Sequence, residues 1–132
     1  MSYKKIICAV TLLLALLTGT CAASTLEEVY RDDDFIYYGD LTTLKHVENR
    51  IYGIGVMAQS VNDSNWEMNI EFWIDYSDNT RSIRRIFQWE EDGSQTELNN
   101  EGGEEWVDIV PDTPDWSIME FAKASLVRRG LL

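Results

Sequence analysis

Trp66-Glu67-Met68-Asn69-Ile70-Glu71-Phe72-Trp73-Ile74-Asp75-Tyr76 decides the fold. Every second residue from Trp66 is apolar: Trp66, Met68, Ile70, Phe72, Ile74 and Tyr76. Between them stand Glu67, Asn69, Glu71, Trp73 and Asp75, mostly acidic. A strict period of two describes a strand with one dry and one wet face. Eleven residues at ~3.3 Å each span ~36 Å, longer than a typical strand. The stretch therefore predicts a central rib of an antiparallel sheet whose dry face needs a cover. Trp73 breaks the wet register. Either a C-terminal helix or a loop buries it, or it stands exposed and marks a contact surface.

The neighbours on both sides read as further strands. Ile51 to Val61 is a second long strand, with Tyr52, Ile54, Val56 and Ala58 on one face and Gly53 and Gly55 on the other. Glycines on one face of a strand suggest a bulge or the close approach of a neighbouring side chain. Arg81 to Glu91 is the hairpin partner on the other side, with Ile83, Phe87 and Trp89 on one face and Arg85 interrupting them. Asp92-Gly93 is a hairpin turn signal, and Ser94 to Leu98 follows as a short polar edge strand.

Further out, Phe35-Ile36-Tyr37-Tyr38 is a β-favouring run closed by Gly39-Asp40, and Leu41 to Val47 follows before a turn at Glu48-Asn49. Thr25 to Tyr30 reads as a first edge strand or a short helical turn. Asn99 to Glu105 is an acidic loop, and Trp106 to Val110 is a last strand-like segment stopped by Pro111. The tail is helical. Thr113 can cap, Pro114 suits the first helical position and Asp115 favours the positive helix end. Ile118, Phe121, Ala122 and Leu126 share one face, and Arg128-Arg129-Gly130 ends the helix. The expectation is an α+β domain: an antiparallel, meander-like sheet of five or six strands covered by one C-terminal helix.

Residues 1–23 read as a signal peptide, with Lys4 and Lys5 at the start, the apolar run Ile6 to Leu17 and the small-residue tail Thr18 to Ala23. That run holds 12 residues, against the ~20 a membrane-spanning helix needs, so no stable span is expected in the mature form. Cleavage after Ala23 or Ala22 fits. Cys21 as a lipid-bearing first residue is the competing reading, though Thr18-Gly19-Thr20 differs from the usual Leu-Ala-Gly lead. Residues 24–132 then form a single domain of 109 residues. Its nine lysines and arginines against 23 carboxylates leave it at −14. Such a balance disfavours nucleic acid and anionic lipid as partners. Cys8 and Cys21 both lie in the signal segment, so the domain carries no disulfide and five tryptophans must help hold its core.

The chemistry candidates are few. His46, the only histidine, cannot build a multi-histidine zinc site and reads as a turn-adjacent surface group. Asp32-Asp33-Asp34 and Glu101 with Glu104-Glu105 lack EF-hand spacing and read as solvated loop, so neither a metal nor a cofactor is expected. Asn62-Asp63-Ser64 matches a glycosylation acceptor, relevant only to a eukaryotic secretory route. Arg81, Arg84 and Arg85 form the one basic cluster. It is either a contact patch for an acidic partner or a sulfated glycan, or a set of cross-strand partners for Glu67, Glu71 and Asp75.

The order of segments resembles the surface-adhesin protein E family of small bacterial extracytoplasmic domains, over about residues 34 to 125. Phe35-Ile36-Tyr37-Tyr38-Gly39-Asp40, then Leu44-Lys45 and Glu48-Asn49, looks like that family's opening strand and turn. Asp75 to Arg81 followed by Asp92-Gly93 is similar to its central hairpin and next turn. Trp106-Val107-Asp108-Ile109-Val110-Pro111-Asp112-Thr113 looks like its closing motif. The cysteine pair that many members carry is absent here. The resemblance implies a sheet-plus-helix domain, secreted or surface-exposed, which in some members binds host matrix proteins.

Together these readings point to a non-enzymatic, extracytoplasmic bacterial domain that binds a protein or glycan, with Arg81, Arg84, Arg85 and Trp73 as its binding residues. The alternative is an accessory envelope protein that self-associates as a homodimer through a sheet edge. A small secreted hydrolase ranks last, because nucleophile, base and metal ligands all lack support.

Overall fold

The computed structural model describes residues 26–63, 66–90, 92–98 and 105–132. Residues 1–23, read above as a signal peptide and holding Cys8 and Cys21, lie outside them, as do Ser64 of the Asn62-Asp63-Ser64 motif and the acidic residues Glu101 and Glu104. Among the described residues seven strands and one helix follow in order: β1 Leu26–Arg31, β2 Phe35–Glu48, β3 Ile51–Ser60, β4 Glu67–Asp75, β5 Thr80–Trp89, β6 Gln95–Leu98, β7 Val107–Asp108 and α1 Pro114–Arg128. The sheet runs β1-β2-β3-β4-β5-β6, each neighbour antiparallel, with β7 also paired to β5. It is an antiparallel meander followed by one C-terminal helix, as the alternation at Trp66 to Tyr76 implies. β1 is a strand rather than a helical turn.

β4 lies inside the sheet, between β3 and β5. Its register sets Tyr52 beside Ile74, Ile54 beside Phe72 and Val56 beside Ile70. Directly opposed residues share a face, so these six form one apolar surface. The helix lays Ile118, Met119, Ala122 and Leu126 on it, and each is at most 2 % exposed. The helix start matches the capping rule: the Thr113 hydroxyl accepts from the Trp116 amide at 3.3 Å. At its other end Gly130 takes φ +73°, and the Leu131 amide donates to the Leu126 carbonyl at 2.9 Å. That 6→1 bond on a left-handed glycine satisfies a carbonyl the helix leaves open.

Two irregularities shape the sheet. The first is in β2, where residues between Asp40 and Lys45 exceed those between Gly55 and Gly53 opposite. Thr43 repairs the ladder: its hydroxyl accepts from the Gly55 amide at 2.7 Å and donates to the Asp40 carbonyl at 2.6 Å. A side chain on Gly55 would press on Thr43, and one on Gly53 would press on Lys45 and Trp73. Both the bulge and the close approach expected from these glycines are present.

The second irregularity is in β5. Glu71 pairs with Arg85, yet Phe72 pairs with Ile83, which leaves Arg84 as the extra residue of a bulge. A one-residue insertion inverts the faces beyond it. Ile83 therefore lies with Phe72 on the helix face, while Phe87 pairs with Asn69 on the opposite one. The single face proposed for Ile83, Phe87 and Trp89 is corrected by this bulge. Trp106 to Val110 is also less of a strand than its pattern suggests, since only Val107 and Asp108 pair.

Tyr76 fastens sheet to helix. Its hydroxyl donates to the Met119 carbonyl at 3.0 Å in a buried setting. Burial, with Glu120 and Tyr52 adding to it, pushes the phenol well above its ordinary value. An unfolded tyrosine ionises near pH ~10. This contribution is thus complete below that pH and is lost as pH rises above it toward the folded value. Tyr76→Phe should lower stability by about 0.5–1.5 kcal/mol at neutral pH through the lost hydrogen bond. It should also flatten the decline in alkaline stability, measured by urea unfolding between about pH 8 and 11.

Candidate functional site

The helix occupies one face, and the other face carries the residues of functional interest. Three rungs cross it. Lys45, Gly53, Trp73 and Ser82 form the first; Leu26, Asp40, Gly55, Glu71 and Arg85 the second; Glu28, Tyr38, Met57, Asn69, Phe87 and Glu97 the third. No described helix lies on this side. Of the readings offered for Trp73, cover by the C-terminal helix is corrected, because the helix packs on the opposite face. Trp73 is half-buried on the helix-free face, lying against side chains.

Those side chains are charged. The Arg84 guanidinium carbon sits 4.1 Å from the Trp73 ring centroid, a cation–π distance. The indole Nε1 donates to Glu71 Oε1 at 3.2 Å, and Lys45 Nζ lies 3.6 Å from the same oxygen. Gly53 makes the arrangement fit: a β-carbon there would stand 3.3 Å from Trp73 Cδ1 and 3.1 Å from Lys45 Cε. Arg85 stacks on Phe87 at 4.6 Å and pairs loosely with Glu97 at 3.4 Å.

Consecutive strand residues ordinarily point to opposite faces. Here the extra residue in β5 lets Arg84 and Arg85 reach the same one. The bulge thus gathers two guanidiniums, Lys45 and two aromatic rings around Glu71.

Arg81 stands apart. It shares the helix face with Ile74 and Ile83, and its Nε donates to Asp115 Oδ2 at 2.8 Å, a part-buried ion pair joining β5 to the helix start. The three arginines expected as one cluster are split two and one. Two of the arginines expected to pair with Glu67, Glu71 or Asp75 pair elsewhere: Asp115 takes Arg81, and Glu97 takes Arg85. Lys45, which the sequence reading overlooked, joins the pair that remains. The only signals for it are Gly53, the rung partner that leaves room for its stem, and its position after the β2 bulge.

Beside this cluster is a shallow depression of about 210 Å³, its lining including Leu26, Gly55, Met57, Asn69, Glu71 and Phe87. Glu71 and Phe87 belong to both features. His46 is exposed at the β2–β3 turn, its Nε2 2.8 Å from the Asn49 carbonyl oxygen. Asp32 caps its own turn, its carboxylate accepting from the Asp34 and Phe35 amides at 2.8 and 2.7 Å. No group of three His, Cys, Asp or Glu side chains suited to a metal stands together among the described residues, nor is any described helix long and apolar enough to cross a membrane. No protein-family model, curated protein or solved structure matches the chain.

Proposed function

We propose that this protein is a non-enzymatic, extracytoplasmic bacterial domain that binds another macromolecule through the helix-free face of its sheet. One observation carries the reading: the β5 bulge turns Arg84 and Arg85 to the same side as Trp73. Arginine and tryptophan concentrate binding energy at protein interfaces, because each combines a flat apolar surface with hydrogen-bonding edges. A cationic, aromatic patch on a chain of net charge −12 also orients an acidic partner toward one face. The leader-like residues 1–23 support the location.

The face is a better contact than the edge. β1 is six residues long, carries Glu27 and Glu28, and is bulged between Glu28 and Tyr30. Each feature discourages edge-to-edge pairing.

The test is binding of the purified protein to immobilised matrix proteins and glycans, compared with Arg84→Glu together with Arg85→Glu. A loss of about tenfold or more in affinity, with melting temperature held, is expected from removing two such anchors. Unchanged affinity for every bound partner would remove this face from the account.

A further inference from the structure

The helix that seals the sheet has an outer side, and the end of that side carries a charge opposite to the chain as a whole. Lys123, Arg128 and Arg129 are exposed there and make no ion pair among the described residues, against one exposed helix carboxylate, Glu120. Beside them Val127 and Leu131 are each 52 % exposed. We propose that this helix end docks on the β1–β2 turn of a second copy of the chain, so that copies join head to tail. The contact goes beyond the functional reading and uses none of its residues.

Cations in a last helical turn complement the helix dipole, which by itself accounts for Arg128. The dipole does not account for Val127, one turn beyond Lys123 on the same side of the helix. Nor does it account for Leu131, held at the helix end by the bond from its amide to the Leu126 carbonyl. Five large apolar side chains stand exposed among the described residues: Val61, Trp106, Val110, Val127 and Leu131. Two of them lie at this basic pole. A third, Val61, lies at a pole of the opposite sign.

That second pole is the turn between β1 and β2. Asp32 is occupied there with the Asp34 and Phe35 amides, but the Asp33 and Asp34 side chains are exposed and make no hydrogen bond or ion pair among the described residues. The neighbouring cation, Arg31, is held by Glu28 at 2.7 Å. The Val61 amide donates to the Asp34 carbonyl at 2.9 Å, which fixes a 45 % exposed aliphatic side chain beside the carboxylates. Each pole thus offers unpaired charge around exposed aliphatic carbon, and the signs are opposite.

Charge decides the occupant. The three cations alone would suit an anionic membrane or a nucleic acid, but a chain of net charge −12 is repelled by both. A second copy presents the matching pole instead. A two-fold dimer would set like charge against like, so the contact is heterologous and repeats along a chain of copies. Exposed ion pairs are individually weak, so the assembly belongs to concentrated protein at low salt.

Sedimentation equilibrium of the full chain at about 0.1–1 mM protein tests it, in salt of ~10 mM and ~0.5 M. At low salt the average mass should climb with concentration beyond a dimer, and at high salt it should return to that of the monomer. Asp33→Lys with Asp34→Lys should weaken association about tenfold or more, as should Lys123→Glu with Arg128→Glu. The first variant carries two basic poles and the second two acidic ones, so an equimolar mixture should associate where neither does alone. A monomer at every concentration and salt overturns the proposal, and so does growth that stops at a dimer. Association that strengthens with salt and ignores both charge reversals is apolar sticking, and overturns it equally. If a mixture of the two folded variants stays monomeric, the poles are not partners. The salt series needs no substitution, so it stands even if a variant misfolds.

Discussion

Leu126→Ala is expected to lower the unfolding free energy by about 2–5 kcal/mol. Leu126 is 1 % exposed and packs in the cluster that joins Tyr52, Ile54, Phe72 and Ile74 of the sheet to Ile118 and Met119 of the helix. Truncation removes apolar area and leaves a void that neighbours fill only in part, so both terms add. The site cannot easily collapse. Leu126 sits in the last turn, held by the bond from the Leu131 amide to its own carbonyl. Equilibrium urea unfolding should show a lower midpoint with an unchanged slope. A loss below about 1 kcal/mol would mean that the helix end is not seated on the sheet.

Gly39→Ala is the second large effect, at about 1–3 kcal/mol. Gly39 lies on the helix face of β2, beside Val56 of β3, and a β-carbon there would overlap the Phe121 ring, standing 2.7 Å from Cδ2. The ring can yield only by leaving its seat on the sheet, which exposes apolar surface. The pair should therefore couple. Phe121→Ala alone loses the ring's packing, yet in that background Gly39→Ala should cost far less than it does alone. A double-mutant cycle reads that difference, and additive losses would rule out the contact.

Much of this fold is legible from the chain because alternation and capping are local codes. Trp66 to Tyr76 announces one dry face, and the structure seals Phe72, Ile74 and Tyr76 on that side. Thr113, Pro114 and Gly130 mark the helix because unsatisfied backbone groups need those side chains or that dihedral. The candidate site was less legible, since it depends on register. Ile83 and Ile86, three apart with two arginines between them, carry a bulge signal that simple alternation passes over. Its consequence is large. One extra residue puts Arg85 on the same face as Arg84, while Arg81 stays on the helix face and pairs with Asp115 in the first helical turn.

Trp73 shows the other limit. Its position in the wet register was plain, but whether a helix covered it depended on which face the tail would choose. Gly39 settles that choice physically, because its missing side chain admits Phe121 on the helix face.

The central claim is that β4 has one face sealed by the helix and an opposite face that no described helix covers. Thiol labelling tests it most directly, because residues 24–132 contain no cysteine. In a Cys8→Ser, Cys21→Ser background, Asn69→Cys and Ile74→Cys place single probes on opposite faces of the same strand. Asn69→Cys should react with a maleimide within about tenfold of the unfolded chain, and Ile74→Cys should react only as fast as the domain opens globally. Comparable rates at the two positions in the native protein would contradict the account.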